Sequence, residues 1–350
     1  MAHWLLVPGI LEILFYTAMA SDVFMSTYIQ TKVQKENAGC TYASFHHTLL
    51  QRTVHSVFRC AKLCSTVDEC RRFMFDKESK ECVLYESGEN CLSSQDVHSM
   101  VCYLQKSVCD ETNCTRCPIG YYGDQCQHVI EDCSDGIRRK LVPEKSLMSY
   151  IRPKADGRIL EVKCDFKWGG YTILLYRYKG CREVDYNKTW KEYSDGFGTS
   201  YGNYWIGLAN IYDILQNYHQ FFLNIVIFGQ TGHETSYYQM FNISTYDDDY
   251  RISLASFKDD ITNPTGDSLT NGSHSIDGRP FSTYDRDFSN NDCPVRFNGG
   301  WWYLDDPVCS RANVHGKRDG SNFEATWHWL DNLGNRTDFT DIHLKLQRKQ

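Results

Sequence analysis

The placement of sixteen cysteines constrains this chain more than any other feature. All lie beyond Ala20, eleven of them between Cys40 and Cys126 and only five in the remainder. An even number at short spacings reads as a disulfide framework, which persists in an oxidising compartment. A segment this small buries too little apolar surface to hold itself together, so cross-links must supply much of its stability. After Cys133 cysteines are sparse and aromatic residues common, which marks a domain with its own core. At 350 residues the chain is expected to hold two or three domains.

Residues 1–20 contain an apolar run ending in Ala18-Met19-Ala20, an A-x-A cleavage pattern, and read as a secretory signal peptide with Ser21 as the first mature residue. The weak positive n-region and Glu12 keep a buried N-terminal helix as the alternative. No later segment offers ~18 uninterrupted apolar residues, so no membrane span is expected and the product should be secreted and extracellular. Sequons at Asn113, Asn187, Asn242, Asn271 and Asn335 are candidate glycosylation sites there. A net charge of −7 over this length leaves no basic stripe, which argues against nucleic acid or an anionic membrane as partner. The run Asp247 to Asp249 reads as a solvated loop.

Between Cys40 and Cys102, the run FRCAKLC (Phe58 to Cys64) places Cys60 and Cys64 on one face of a short helix. RRFMFD follows as a strand with Phe73 and Phe75 on one face, then KECVLY with Cys82 and Leu84 on one face. Cys109 to Cys126, CDETNCTRCPIGYYGDQC, reads as a stiff spacer. An oxidising setting disfavours a metal site made from its cysteines. Beyond Cys133, Ile159 to Cys164 and the nearly continuous apolar Tyr171 to Tyr178 read as strands, the second central. Ile211 to Leu215 reads as a short helix, and Phe221 to Ile227, Tyr237 to Phe241 and Tyr250 to Leu254 as further strands. The fold class is α+β with a mixed, mainly antiparallel sheet.

The stretch most suited to a function is Phe281 to Gly316, FSTYDRDFSNNDCPVRFNGGWWYLDDPVCSRANVHG. Asn and Gly make it mostly loop, and long ordered loops in compact domains are usually functional. A Cys293–Cys309 disulfide would close a short ring and contribute ~3 kcal/mol through the unfolded state. Trp301 and Trp302 divide evenly between core and site. Asp285 and Asp287 offer hard oxygen donors for calcium, with nearby carbonyls to complete six or more ligands. The loop is not an EF-hand, because Asn290 occupies the turn-glycine position and Arg296 that of the bidentate glutamate. Gly198 to Gly202 fits G-x-S-x-G around Ser200 but lacks the strand-to-helix setting, and no phosphate loop or H-E-x-x-H occurs. The chain is not expected to be an enzyme.

FSTYDRD, a cysteine, GGWWY and CSRANVHG together resemble the signature of the fibrinogen C-terminal (fibrinogen-related) domain. The resemblance extends through WKEYSDGFG (Trp190 to Gly198), YWIGL (Tyr204 to Leu208), GDSL (Gly266 to Leu269) and HLKLQ (His343 to Gln347), placing that domain at 133–347. Residues 40–102 resemble an apple/PAN module. Residues 109–126 resemble the last loop of an EGF-like repeat. These resemblances imply the bridges Cys40–Cys102, Cys60–Cys82, Cys64–Cys70, Cys117–Cys126 and Cys133–Cys164. Cys91 is then surplus, and Cys109 and Cys114 pair together or reach back to Cys91. Cys181 has no counterpart in the family pattern and could bridge to another chain, to Cys91 or to an unpaired neighbour, so a homo-oligomer stays open, although no sustained heptads precede the domain.

The resemblance also implies one structural calcium, held by Asp287 and Asp285 with carbonyls of Phe288 and Asn290. In relatives that bind acetylated sugars a pocket lies beside this loop. The matching positions are Phe297, Tyr303, the backbone at Cys309 and Ser310, and Asn313, with Phe323 and Trp327 as further walls. This chain departs from the pattern at several points: Ser289 replaces an aspartate, Ser310 a histidine and His315 an asparagine, and LDDPV before Cys309 is longer than usual. The leading expectation is a calcium-dependent, lectin-like protein of innate pattern recognition that binds acetylated or acidic glycans on microbial or cell surfaces. The alternative is an extracellular-matrix or developmental ligand that docks a cell-surface protein without binding sugar.

Overall fold

The computed structural model describes residues 28–31, 33–35, 48–67, 70, 72–85, 91–93, 100–105, 117–142, 145–179, 183–198, 202–216, 220–229, 232–258, 265–334, 336 and 338–349. The signal-peptide segment, Cys40, Cys109, Cys114, Cys181, Ser200, Asn113 and Asn335 lie outside this set, as do the side chains of Cys91 and Cys102. The chain divides into two compact units, residues 1–117 with 124–126, and residues 118–123 with 127–350.

In the first unit a five-stranded sheet runs in the order Tyr28–Thr31, Met100–Gln105, Arg72–Asp76, Glu81–Tyr85, Thr48–Thr53, with every pairing antiparallel. The helix Val57–Ser65 starts at Ser56, whose hydroxyl accepts the Arg59 N–H, and lays Cys60, Ala61 and Cys64 on Phe73, Phe75 and Leu84. Cys60 bonds to Cys82 and Cys64 to Cys70, tying the helix to the sheet and closing its C-terminal end. Both phenylalanines are buried on the helix side, so the cysteine spacing and the two-residue alternation define one small core. Cys117 is bonded to Cys126.

The second unit is built on a long twisted sheet. Its strands lie in the order Ser146–Ile151, Leu160–Asp165, Tyr171–Tyr178, Asp341–Arg348, Phe221–Gly229, Gly232–Ile243, Ile252–Lys258. Tyr204–Trp205 also pairs with Tyr171–Tyr178. Every pairing in it is antiparallel, so the expected mixed character is not found among the described residues of this sheet. The strand Tyr171–Tyr178 is central and nearly all buried, as its apolar run requires. The C-terminal strand fills the middle of the sheet, with Ile342, Leu344 and Leu346 in the core. Two buried ion pairs tie its far end down, Lys345 to Asp165 at 2.9 Å and Arg348 to Asp132, and Arg348 also reaches the partly exposed carboxylate of Glu131. Cys133–Cys164 joins the first helix of this unit, Cys133–Arg138, to the sheet.

Residues 118–123 do not stand apart as a spacer. Tyr150 N–H donates to the Ile119 carbonyl and Ile130 N–H to that of Gly120, at 2.9 and 2.8 Å. A Cβ at Gly120 would lie 2.0 Å from the Tyr150 carbonyl oxygen, so only glycine permits this approach.

Candidate functional site

The loop from Phe281 to Cys293 is held by its own hydrogen bonds. Thr283 and Arg286 exchange two backbone bonds of 3.0 Å, which turns the chain and pushes Tyr284 and Asp285 outward. Asp285 Oδ1 accepts from the Thr283 hydroxyl at 2.7 Å and from the backbone N–H of Trp190 at 2.9 Å. Trp190 opens the helix Trp190–Asp195, which Thr189 and Glu192 start with a reciprocal capping box. The second aspartate, Asp287, accepts the Ser289 N–H at 2.8 Å, and Ser282 Oγ accepts the Phe288 N–H at 3.1 Å. Asn290, at φ +54°, donates its amide to Asp305 at 3.1 Å. The Arg286 guanidinium lies 4.2 Å over the Trp190 ring and pairs with Asp249, giving the loop a second tie to the helix.

Does this loop suit calcium? Both aspartates are exposed. Their Oδ2 atoms, and the carbonyls of Phe288 and Asn290, accept no hydrogen bond among the described residues. Hard oxygens without protein partners, in a loop already fixed in shape, fit that ion. Among the described residues no group of three or more His, Cys, Asp and Glu could hold a metal, so carbonyls and water would have to complete the shell.

Beside the loop, the helix Cys293–Phe297 and the Cys293–Cys309 disulfide form a compact knot. Phe297 and Tyr303 meet edge to face at 5.4 Å, both buried, and the Tyr303 hydroxyl donates to the Gly299 carbonyl at 2.7 Å. Asn313 is saturated from within. Its amide donates to the carbonyls of Phe297 and Glu324, and its oxygen accepts the Gly316 N–H. The N–H groups expected to face a ligand also have internal partners. Cys309 donates to the Asp306 carbonyl at 3.1 Å, and Ser310 to the Val308 carbonyl at 2.7 Å, around a Cys309 held at φ +60°. The Ser310 hydroxyl donates to the Ala312 carbonyl.

Trp327 is not a wall of any open hollow. It is fully buried, with the Arg177 guanidinium 4.6 Å from its ring centre. Phe323 is at the surface, stacked on His328 at 4.4 Å. Burial holds His328 below the ordinary histidine range, against the pull of the Thr326 and Phe323 carbonyls.

Around this knot three apolar side chains reach solvent: Val295 at 63%, Val308 at 43% and Phe323 at 36% exposure. Val308 and Phe323 each adjoin a group that Arg296 holds, and Val295 adjoins Arg296 itself. Its guanidinium donates to the Pro307 carbonyl at 3.0 Å, contacts Cys309 Sγ at 3.2 Å and pairs with Glu324 at 2.6 Å.

Trp301 and Trp302 are core, and so are both neighbouring glycines. A Cβ at Gly300 would lie 2.7 and 2.8 Å from the rings of Tyr193 and Phe281, while its N–H donates to the Tyr193 hydroxyl. Beneath them sits His315, Nδ1 2.7 Å from the Gly300 carbonyl and ring stacked on Tyr186. Burial, with Arg177 adding to it and the Gly300 carbonyl opposing, lowers its pKa to about 3. Sequence reasoning passed over Thr189 and Arg177, and met Arg296 only as the residue that rules out an EF-hand. The T-x-x-E of Thr189 to Glu192 was a readable capping signal; the two arginines carry none, because their partners are remote in sequence.

An antiparallel sheet carrying a disulfide-closed, aromatic-backed loop near its C-terminal end defines a fibrinogen-type globular domain. The family described as fibrinogen beta and gamma chains, C-terminal globular domain, matches residues 129–349, and the chain belongs to it. The PAN domain family matches residues 35–109. Human ficolin-3 is 31% identical over 207 residues, 57% of this chain and 65% of ficolin-3. Human angiopoietin-related protein 6 is 29% identical over 215 residues, 58% of this chain and 42% of that protein. For human angiopoietin-1 the figures are 29% over 214 residues, 57% and 40%. The chain thus spans less than two thirds of each of these relatives. Among solved structures, the fibrinogen-like globe domain of human ANGPTL6 superposes with a TM-score of 0.55 at 24% identity, covering 64% of this chain and 97% of that domain. That likeness establishes the fold.

Proposed function

We propose that this is a secreted recognition protein that works by binding rather than catalysis, and that its C-terminal domain docks a cell-surface or matrix protein through the face around the Cys293–Cys309 ring. The observation that carries this reading is the exposed trio Val295, Val308 and Phe323 gathered about Arg296. Exposed apolar side chains rimmed by polar groups mark interaction faces, and arginine is enriched among the residues that carry binding energy. Secretion is supported by five disulfides among the described residues and by exposed sequons at Asn187, Asn242 and Asn271. No helix among the described residues is long and apolar enough to cross a membrane. A calcium ion held by Asp285, Asp287 and the carbonyls of Phe288 and Asn290 would pin the neighbouring loop and leave the face rigid.

The second reading is capture of acetylated or acidic glycans at the same place. It is favoured by the Phe323–His328 stack, which offers a ring wall of the kind sugars use. It is disfavoured by the internal partners of the Cys309 and Ser310 N–H groups, which leave no free donor there for an acetyl oxygen.

Binding of the labelled full chain to intact cells separates the two. Docking on a protein predicts binding that is lost after protease treatment of the cells, kept after glycosidase treatment, and abolished by Val308→Glu. Competition by N-acetylglucosamine, with binding unaffected by Val308→Glu, would overturn the docking reading in favour of the second.

A further inference from the structure

A groove of about 330 Å³ lies on the second unit, among Tyr122, His128, Val129, Glu131, Arg152 and Pro153. Tyr122 and His128 face each other across the ribbon Tyr121–Tyr122 and His128–Val129, their rings 5.1 Å apart and 33° from parallel. Arg152 follows the strand Ser146–Ile151 and is fixed by its backbone N–H, which donates to the Ile130 carbonyl at 2.8 Å. Its guanidinium has no ion pair or hydrogen bond among the described residues, and its Nε is buried without a partner.

The other charges nearby are already matched. Glu131 pairs with Arg348 at 2.7 Å, Lys154 with Asp213, and Arg139 with Asp135 at 2.8 Å while lying over the Tyr122 ring. A buried Nε left unpaired is unfavourable, and the rest of this guanidinium, without a protein partner among the described residues, is left for a ligand. Arginine's planar fork matches a carboxylate or a sulfate with two parallel bonds.

We propose that this groove binds a sugar ring bearing one carboxylate or sulfate group, with Arg152 as the anchor for the acid. The volume lies at the lower end of small-ligand clefts and exceeds the needs of a bare ion. The exposed His128 ring, backed by Tyr122, supplies the apolar surface that a sugar face packs on. Glu131 at the edge, which shares Arg348 with Asp132, limits the site to a single acid group. This site is separate from the Cys293–Cys309 face, and neither proposal depends on the other.

Calorimetric titration of the full secreted chain tests it. The probes are glucuronic acid and glucose 6-sulfate, which carry no acetyl group, with glucose and inorganic sulfate as controls. The expected result is binding of at least one acidic sugar, with glucose and sulfate at least tenfold weaker. Whether the carboxylate or the sulfate binds more tightly identifies the source of the acid. Arg152→Ala should weaken binding tenfold or more with an unchanged unfolding midpoint, and Arg152→Lys should fall between. Chelator and Asp287→Asn should have no effect. The proposal is overturned by equal binding of glucose, by sulfate binding as tightly as the sugars, or by undiminished affinity in Arg152→Ala. Loss of binding in Asp287→Asn, tighter binding of an acidic peptide, or no binding of either acidic sugar at millimolar concentration also overturns it.

Discussion

Arg177 donates a hydrogen bond of 2.7 Å to the carbonyl of Val314, across 137 residues of chain, in the interior of the domain. The same guanidinium reaches the Gly316 carbonyl at 2.6 Å and Glu183 at 3.0 Å, between the rings of Tyr186 and Trp327 at 4.4 and 4.6 Å. A central strand thereby grips the segment that follows Cys309 through two bonds of one rigid fork, while a third holds Glu183.

Removing that grip should be expensive. Arg177→Met leaves the buried carbonyls of Val314 and Gly316 without their donor, while Glu183 keeps Arg318, and an expected loss of about 3–5 kcal/mol follows. Arg177→Lys keeps the charge but not the fork, and should lose about 1–3 kcal/mol. Urea unfolding midpoints at neutral pH measure both. A loss below about 0.5 kcal/mol for Arg177→Met would show that the contact is not structural.

The domain should weaken in mild acid. His315 is neutral when folded, with a pKa of about 3, while the unfolded chain's histidine takes a proton near 6.5. The unfolded state therefore binds more protons between those values. Stability is full above about pH 6.5 and falls by about 1.4 kcal/mol per pH unit below it, until about pH 3. From pH 7 to 5 the loss from His315 alone should be about 2 kcal/mol. His328 and His343, lowered mainly by burial, act in the same direction. Denaturant midpoints at pH 7, 6 and 5 give the slope, which His315→Gln should flatten.

Asp285 and Asp287 should differ without calcium and agree with it. Asp285 accepts the N–H of Trp190 at the start of a helix, so Asp285→Ala should cost about 1 kcal/mol in chelator. Asp287 meets only its own loop, at Ser289, and its loss should be felt less. Adding calcium should raise the thermal midpoint of the natural chain and of neither variant. A midpoint indifferent to calcium in the natural chain would remove the ion from the proposal.

Opening the Cys293–Cys309 ring, with its sequence separation of 16, should cost about 3 kcal/mol. Because Arg296 rests on Cys309 Sγ, the double variant Cys293→Ala/Cys309→Ala should also lose cell binding more completely than its stability loss predicts. Binding assays at a temperature where the variant stays folded make that comparison.

Much of the architecture was readable beforehand because its signals are local. Cys60 and Cys64, one helical turn apart, had to face one way, and Phe73 and Phe75 two residues apart likewise. The apolar run Tyr171 to Tyr178 announced a central strand. The site was less readable. Asn313, Tyr303 and Trp327 are the residue types a binding pocket uses, yet their polar atoms and faces are taken up inside the protein. The exposed trio, by contrast, consists of ordinary apolar residues at unremarkable spacings.

Cysteine spacing, strand periodicity and the ordered run of family motifs determined, from the sequence alone, the α+β class and the two families, fibrinogen-type and PAN, that the chain contains. Periodicity and loop length act over a few residues, so they could be read directly. Which hydrogen-bond donors near Cys309 are taken, which rings reach solvent and which arginine Nε atoms stay buried without a partner were decided only when the chain closed on itself, as Arg296 does on Glu324 and Arg177 on Val314. A side chain's availability depends on what its distant neighbours have already claimed, and no stretch of sequence contains that information.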